Sequence, residues 1–281
     1  MNQLKNIIPA LFILFAASCD LEQEIDIQLP DYEGGLVLEC YLEPGQPFAL
    51  LLSRSAAYFD PFPNLDAAFL DQILEDSAQV SISYRGRVFP LSNRTIFNPL
   101  TRKIYNYSNF ELVPTDFQNT FELKIITKEG KTIEAVTRIL PKIPIDSVVV
   151  QFDEKNDSLA RVLTYLTDDP SQKNYFRRML HKGALDTLPE QDFISDDRIV
   201  EDLLVFGTGY DYHLGDTIIN TMYHIDESYF NFLESYLRAT AANGNPFTQP
   251  SPIISNLKGT ANAIGIFTGL SFDRKVTIVK K

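Results

Sequence analysis

The alternation of apolar and polar side chains predicts strands along most of the chain. Ile25, Ile27 and Leu29 alternate with Asp26 and Gln28, and Leu36–Leu42 and Phe48–Ser53 repeat the period of two expected of half-buried strands. Glu43-Pro44-Gly45-Gln46-Pro47 joins the latter two as a turn, since proline sets φ and glycine admits positive φ. Val80–Tyr84 and Val88–Leu91 flank Arg85-Gly86-Arg87, and Thr120–Thr127 and Thr132–Ile139 flank Lys128-Glu129-Gly130-Lys131. Both read as hairpins. After a loop opening at Pro61, Leu65, Ala68, Phe69 and Ile73 recur at helical spacing and predict a short helix.

Pro141-Lys142-Ile143-Pro144 marks a boundary, because two prolines favour an extended linker and cannot extend a sheet ladder. Strand patterns resume at Ile145–Phe152, Leu159–Leu166, Asn174–His181 and Thr217–Ile225, then at Ala263–Phe272 and Lys275–Val279. Phe193–Asp216 has no clear period. Asp226 suits a helix N-cap, and Tyr229, Phe230, Leu233, Tyr236 and Leu237 follow at i, i+3, i+4 spacing before Asn243-Gly244 stops the helix. The expected fold class is mainly β. An N-terminal β-sandwich, Ig-like or transthyretin-like, spans residues 24–140; a linker at 141–144 leads to a β-rich C-terminal domain with one amphipathic helix at 145–281.

Residues 1–18 do not fit this scheme. Lys5 precedes an apolar run, Ile7–Ala17, broken only by Pro9 and about half the ~20 residues that span a bilayer. Three small residues, Ala16-Ala17-Ser18, then stand directly before Cys19. This resembles the lipobox of bacterial lipoproteins, in which the thiol takes the lipid. Residues 1–18 are therefore expected to be a signal peptide, Cys19 the lipidation site, and 19–23 an acidic tether. Each buried acyl methylene contributes ~0.8 kcal/mol, so two or more chains hold a polar domain on a bilayer without a spanning helix.

Formal net charge is −12, and the first eighteen residues carry one charged side chain, Lys5, so removing them leaves −13. Such a surface repels phosphate backbones, and no nucleic acid partner is expected. With Cys19 lipidated, Cys40 is the one thiol left and reads as a small buried residue of a strand. No CxxC, HxxxH, HExxH or G-x-S-x-G spacing occurs, and Gly207-Thr208-Gly209 is too short for a phosphate loop. Asp192, Asp196, Asp197, Glu201 and Asp202 lack the spacing of a calcium loop and read as a solvated loop. Asp168-Asp169, if on a strand, would point to opposite faces, which defeats acid–base pairing; Pro170 next to them favours a turn. No catalytic, cofactor or metal site is expected. Tyr210, Tyr212 and His213, near glycines, form the one exposed-looking aromatic cluster and are the expected contact surface. Tryptophan is absent, which argues against a dedicated glycan-stacking face.

Further residues carry a resemblance over nearly the whole mature chain. Pro144-Ile145-Asp146-Ser147-Val148 is followed by Asp168-Asp169-Pro170, Asn174-Tyr175-Phe176-Arg177, Asn243-Gly244-Asn245-Pro246-Phe247, Pro250, Pro252, Ser255-Asn256-Leu257 and Gly265-Ile266-Phe267-Thr268-Gly269. With the lipobox and Leu36-Val37-Leu38-Glu39, their order resembles the Domain of Unknown Function 4249 family of Bacteroidetes lipoproteins. One departure is Gly259-Thr260-Ala261-Asn262-Ala263, where the family is more glycine-rich. The resemblance implies an outer-membrane lipoprotein often encoded beside TonB-dependent receptors, with no enzymatic activity attached to the family. Asp20, Glu22, Glu24 and Asp26 resemble acidic surface-export signals of that phylum and imply the cell-surface face. Asp-Ser/Thr-aliphatic or -alanine triplets at Ser77, Ser147, Ser158, Thr187 and Thr217 resemble its O-glycosylation acceptors; a turn aspartate leading into a strand gives the same triplet.

The expected function is a non-catalytic, lipid-anchored accessory or cargo-binding subunit of a TonB-dependent transporter. The alternatives are a surface hydrolase whose site converges from Asp168, Asp169 and His213, and a structural adhesin-like module. Replacing Cys19 by serine should release the protein from envelopes washed in high salt, as read by sedimentation and immunoblotting; a variant that still sediments with membranes refutes the anchor.

Overall fold

Turn chemistry builds the first half of the molecule. The computed structural model describes residues 34–55, 70, 72–99, 101–167, 169, 171–197, 203–242 and 251–281. The expected signal peptide, Cys19, the acidic tether and the Ile25–Leu29 strand lie outside these residues. Strands β1 (Leu36–Leu42) and β2 (Pro47–Arg54) pair through the turn at Gly45, where φ is 81°. Between β3 (Gln79–Tyr84) and β4 (Arg87–Asn98), Arg85 and Gly86 both adopt positive φ, 49° and 78°, as a two-residue hairpin turn that follows the strand twist requires. β5 (Lys103–Leu112) returns along β4, and β6 (Thr120–Ile126) and β7 (Thr132–Arg138) form the expected hairpin with Gly130 at φ 78°. Of the helix expected around Leu65–Ile73 only the last turn is described, where the Leu74 amide donates to the Leu70 carbonyl (2.9 Å).

The second half continues with β8 (Ser147–Phe152), β9 (Leu159–Thr167), β10 (Tyr175–Lys182), β11 (Gln191–Asp196), β12 (Leu203–Gly207), β13 (Tyr212–His213) and β14 (Thr217–Ile225). Helix α1 (Glu227–Ala242) follows, then β15 (Lys258–Gly259), β16 (Ala263–Gly269) and β17 (Ser271–Ile278). The protein is mainly β, with α1 as its single long helix among the described residues.

One nine-stranded sheet, ordered β15-β7-β6-β3-β4-β5-β2-β1-β16, folds over its own core. Register shifts at Asn93/Ile96 and at Pro47/Phe48 bend it, as bulges do. Inward side chains from both halves of the bend meet there, among them Leu38, Leu50, Ile82, Phe89, Phe121 and Phe267. Cys40 is part of that core; burial pushes its thiol far up, and Sγ–H points to the Ala49 carbonyl (3.4 Å).

Residues 258–269 fall within the span expected for a separate C-terminal domain, yet they pair in this first sheet. β16 runs parallel to β1 from Leu36↔Ala263 to Leu42↔Gly269. The approach is very close: a Cβ on Gly265 (φ 138°) would lie 1.9 Å from the Leu38 carbonyl oxygen, and one on Gly259 2.1 Å from that of Thr132. The tight backbone approach therefore survives the less glycine-rich stretch at 259–263. Ser255 and Asn256 cap the outer edge of β16, donating to the carbonyls of Gly265 and Phe267 (2.7 Å each).

The remaining strands make a two-layer sandwich. One layer is β11-β10-β14-β17; in the other, β9 pairs with β8 on one edge and with β12 and β13 on the other. Phe176, Leu180, Ile218 and Met222 of the first layer meet Ala160, Val162, Leu166, Leu204 and Phe206 of the second. The expected strand break after Phe272 occurs instead at Leu270, because there the chain leaves parallel pairing with β1 and enters antiparallel pairing with β14. Arg178 is wholly buried between the layers, held by Asn220 (3.1 Å), Thr164 and Gln191 (3.3 Å) and the Gly207 carbonyl (3.4 Å).

α1 packs where the sheets meet. Asp226 caps it, accepting from the Tyr229 amide (2.8 Å), and also accepts from Thr137 of β7 (3.4 Å), whose oxygen takes the Gly269 amide (3.2 Å). The proline segment is tied down as well: His224 Nδ1 bonds the Pro141 carbonyl (2.7 Å), and Asp273 accepts from the Ile145 amide (2.9 Å). Replacing Gly265 by alanine should cost about 3 kcal/mol or more in urea unfolding, since strain and backbone overlap add. A loss below about 1 kcal/mol would refute the parallel closure.

Candidate functional site

Strand alternation turns Glu39 and Tyr41 of β1 away from the core that takes Leu38, Cys40 and Leu42. Lys103 of β5 pairs with Glu39 and lies 4.4 Å from the centre of the Tyr41 ring, while the Tyr41 hydroxyl donates to Glu39 (3.1 Å). Opposite stands the outer face of the β11-β10-β14-β17 layer. Register places Arg177, Tyr223 and Phe272 in one cross-strand row and Met179, Thr221 and Arg274 in the next. Tyr229 of α1 forms the floor, its ring 5.8 Å from that of Tyr41 at 62°. Its hydroxyl accepts from Arg177 Nη1 (2.6 Å), and Arg177 forks onto Asp192 at 2.8 and 2.6 Å.

The result is a polar, tyrosine-rich crevice between the first sheet and the second sandwich. Burial pushes the Tyr41 hydroxyl well above 10, that of Tyr223 upward, and that of Tyr229 up to about 12 against the pull of Arg177. Burial also raises the Glu43 carboxyl, partly countered by Arg274. Desolvation works against the Arg177 charge, but the Asp192 carboxylate more than offsets it and holds the proton on. At neutral pH the tyrosines are thus hydrogen-bonding rings rather than nucleophiles or bases.

Apart from Asp192, the described residues singled out by sequence lie elsewhere. Cys19, Asp168, Pro170, Glu201 and Asp202 fall outside the described residues. Tyr212 is 1 % exposed and packs with Ala160, Leu180 and Ile218, so it cannot be a contact residue; its place on β13 turns it into the sandwich. Tyr210 is half-buried under Arg161, and His213 is exposed. Asp169 sits in an exposed turn, accepting from Ser171 Oγ (2.6 Å) and Gln172 (2.7 Å). His213 pairs with Leu159 at one end of the nine-residue β9, and Asp169 follows its other end. At a strand rise of ~3.3 Å per residue the two are roughly 25 Å apart, so they do not converge.

Two of the acids read as a solvated loop are structural. Asp192 holds Arg177, and Asp197 is buried, accepting from the Asn174 amide (2.5 Å). Ser77, Ser147, Ser158 and Thr187 are exposed and Thr217 half-buried, each in a turn or at a strand start. Of the crevice residues, Arg177 alone belongs to a segment that carried the family resemblance. The other available signal was the pair of polar-faced tyrosines at alternate positions to core residues on β1 and β14.

A family model described as "Domain of unknown function (DUF4249)" matches residues 22–275. No curated protein matches the chain. Among solved structures, one titled "Cytokine receptor complex - Crystal form 1A" aligns with 69% of this chain and 86% of its own at 7% identity and a TM-score of 0.25. Another, "crystal structure of chicken TCR for 2.0", aligns with 64% and 93% at 13% identity and a TM-score of 0.17. Likeness that weak carries no argument.

Burial, more than neighbouring charge, holds the imidazoles of His181 and His224 below 6.5. A base held below its unfolded pKa gains a proton on unfolding, so its stabilising share is full above about 6.5 and is lost as pH falls through the folded values. The urea midpoint should therefore be lower at pH 5 than at pH 7, and less so for His181→Gln. A variant with the same or a larger drop contradicts this assignment.

Proposed function

The chain belongs to the family of the Domain of unknown function (DUF4249), and on that premise we propose that it is a non-catalytic, lipid-anchored protein of the outer membrane, an accessory or cargo-binding subunit of a TonB-dependent transporter. Attachment through Cys19 is supported by the small residues before it and the short apolar run. The acidic residues that follow favour the cell-surface face.

The observation that carries the docking role is an exposed apolar patch. Phe110 is 77% exposed, Val88 59% and Leu112 57%, on the neighbouring strands β4 and β5. Arg94 lies over the Phe110 ring at 4.6 Å. Arg87 lies over the Phe89 ring as Arg94 does over Phe110, and Arg85 stands in the adjoining turn; Glu111, between Phe110 and Leu112, pairs with Arg87. A basic rim around aromatic and aliphatic surface fits an acidic patch on a membrane partner, and cations in such a rim steer encounter as well as packing. The crevice at Tyr41 and Tyr223 would then be the cargo side.

Crosslinking in native membranes followed by purification should recover a TonB-dependent transporter. Phe110→Asp should lower that recovery about tenfold or more, as loss of a central aromatic anchor does. Recovery of no transporter, or undiminished recovery with the aspartate variant, refutes the docking reading.

A further inference from the structure

We propose that the crevice binds the anionic group of a small ligand, a carboxylate or a phosphate, between Arg274 and His181. This rests on reading the crevice as the cargo site and adds the chemistry of what it holds.

Arg274 is the cation of this face without a carboxylate in ion-pair range among the described residues. The other cations around it are neutralised: Arg177 by Asp192, Lys103 by Glu39 and Lys182 by Asp216. Its position is nonetheless set. Nε donates to Thr221 Oγ1 (2.8 Å), and the guanidinium lies 4.6 Å from the centre of the Phe272 ring. That leaves its Nη groups presented as a planar fork, the geometry that matches the paired oxygens of a carboxylate or phosphate. Glu43 is the acid it influences, and burial raises that carboxyl, which makes it a poor counter-ion.

His181 supplies the second, independent observation. It is only 5 % exposed, and its Nδ1 has no hydrogen-bond partner. Buried polar atoms are nearly always satisfied, and an exception marks a missing ligand or water. On β10, His181 shares the outer face with Arg177 and Met179, the face across which Arg274 leans by way of Thr221. Arg274 and His181 thus present two unfilled polar groups on one face, near enough for the guanidinium charge to act on the imidazole. Asp192 also borders this face, but both its oxygens are engaged by Arg177.

The test is calorimetric titration of the full lipidated chain in non-ionic detergent with galacturonate, inorganic phosphate and neutral galactose. We expect at least one anion to bind about tenfold or more tightly than galactose, and Arg274→Gln to weaken it by about tenfold or more. Galacturonate alone binding identifies a carboxylate site, and phosphate alone a phosphate site. No anion binding, galactose binding as well as the anions, or unchanged affinity in Arg274→Gln overturns the proposal. Nitrogen-15 spectra of the wild-type histidines provide a reading that does not depend on how the variant folds. The bound anion should shift the ring nitrogens of His181 and leave those of His213 in place; an unmoved His181 overturns the site. Lost anion binding with transporter recovery intact sinks this inference alone, whereas the reverse sinks the docking reading alone.

Discussion

The parallel pairing of β1 with β16 is the constraint on which the rest of the molecule depends. It joins residues 36–42 to residues 263–269, so nearly the whole described chain is a loop closed by one strand pair. Closure entropy grows only logarithmically with loop length, and the pair buries Leu38, Cys40, Leu42, Ile266 and Phe267 in return. β16 serves two cores at once: Phe267 points into the first sheet's interior, and Ile266 into the cluster of Tyr175, Ile225, Tyr229 and Phe230 beneath α1. That strand seats Tyr41 of β1 against Tyr229, together with the Thr137–Asp226 and Pro141–His224 ties.

The placement of charge follows from the same geometry. Arg177 and Arg178 are neighbours on β10 and face opposite ways. Arg178 enters the sandwich core, where burial lowers its pKa to about 10 and its hydrogen-bond partners are neutral. Arg177 faces the crevice and is paired with Asp192. One residue of offset separates a guanidinium that cross-links two layers from one that shapes a surface site. Arg274, one strand beyond β14 on the crevice side, has neither arrangement.

Several family-matching segments acquire structural explanations. Ser255 and Asn256 seal the free edge of β16, Gly265 and Gly269 permit close backbone contact, and Ile145 anchors the proline segment in the second core. These residues account for the architecture. Arg177, within Asn174-Tyr175-Phe176-Arg177, is the member of those segments that reaches the crevice, so a motif-by-motif reading of function finds mostly scaffold.

Local pattern was legible wherever one face of a strand meets the core and the other meets water. β1 and the β6–β7 hairpin show this, and the Asp226 cap was equally legible. β5 was not legible, because Tyr105, Asn106 and Tyr107 are all buried and erase the alternation; the polar Ser92-Asn93-Arg94-Thr95 run likewise hid the outer half of β4. Tyr212 looked exposed because its neighbours are turn residues, yet a two-residue pairing with β9 turned it inward. The amino-acid order by itself determined the β class, the turns, the helix and its cap, since each depends on residues a few positions apart. Which sheet β16 joins, and with it the meeting of Tyr41, Tyr223, Arg177, His181 and Arg274, was decided only in three dimensions. Those contacts span up to some two hundred residues, and no periodicity along the chain encodes the pairing of strands so far apart.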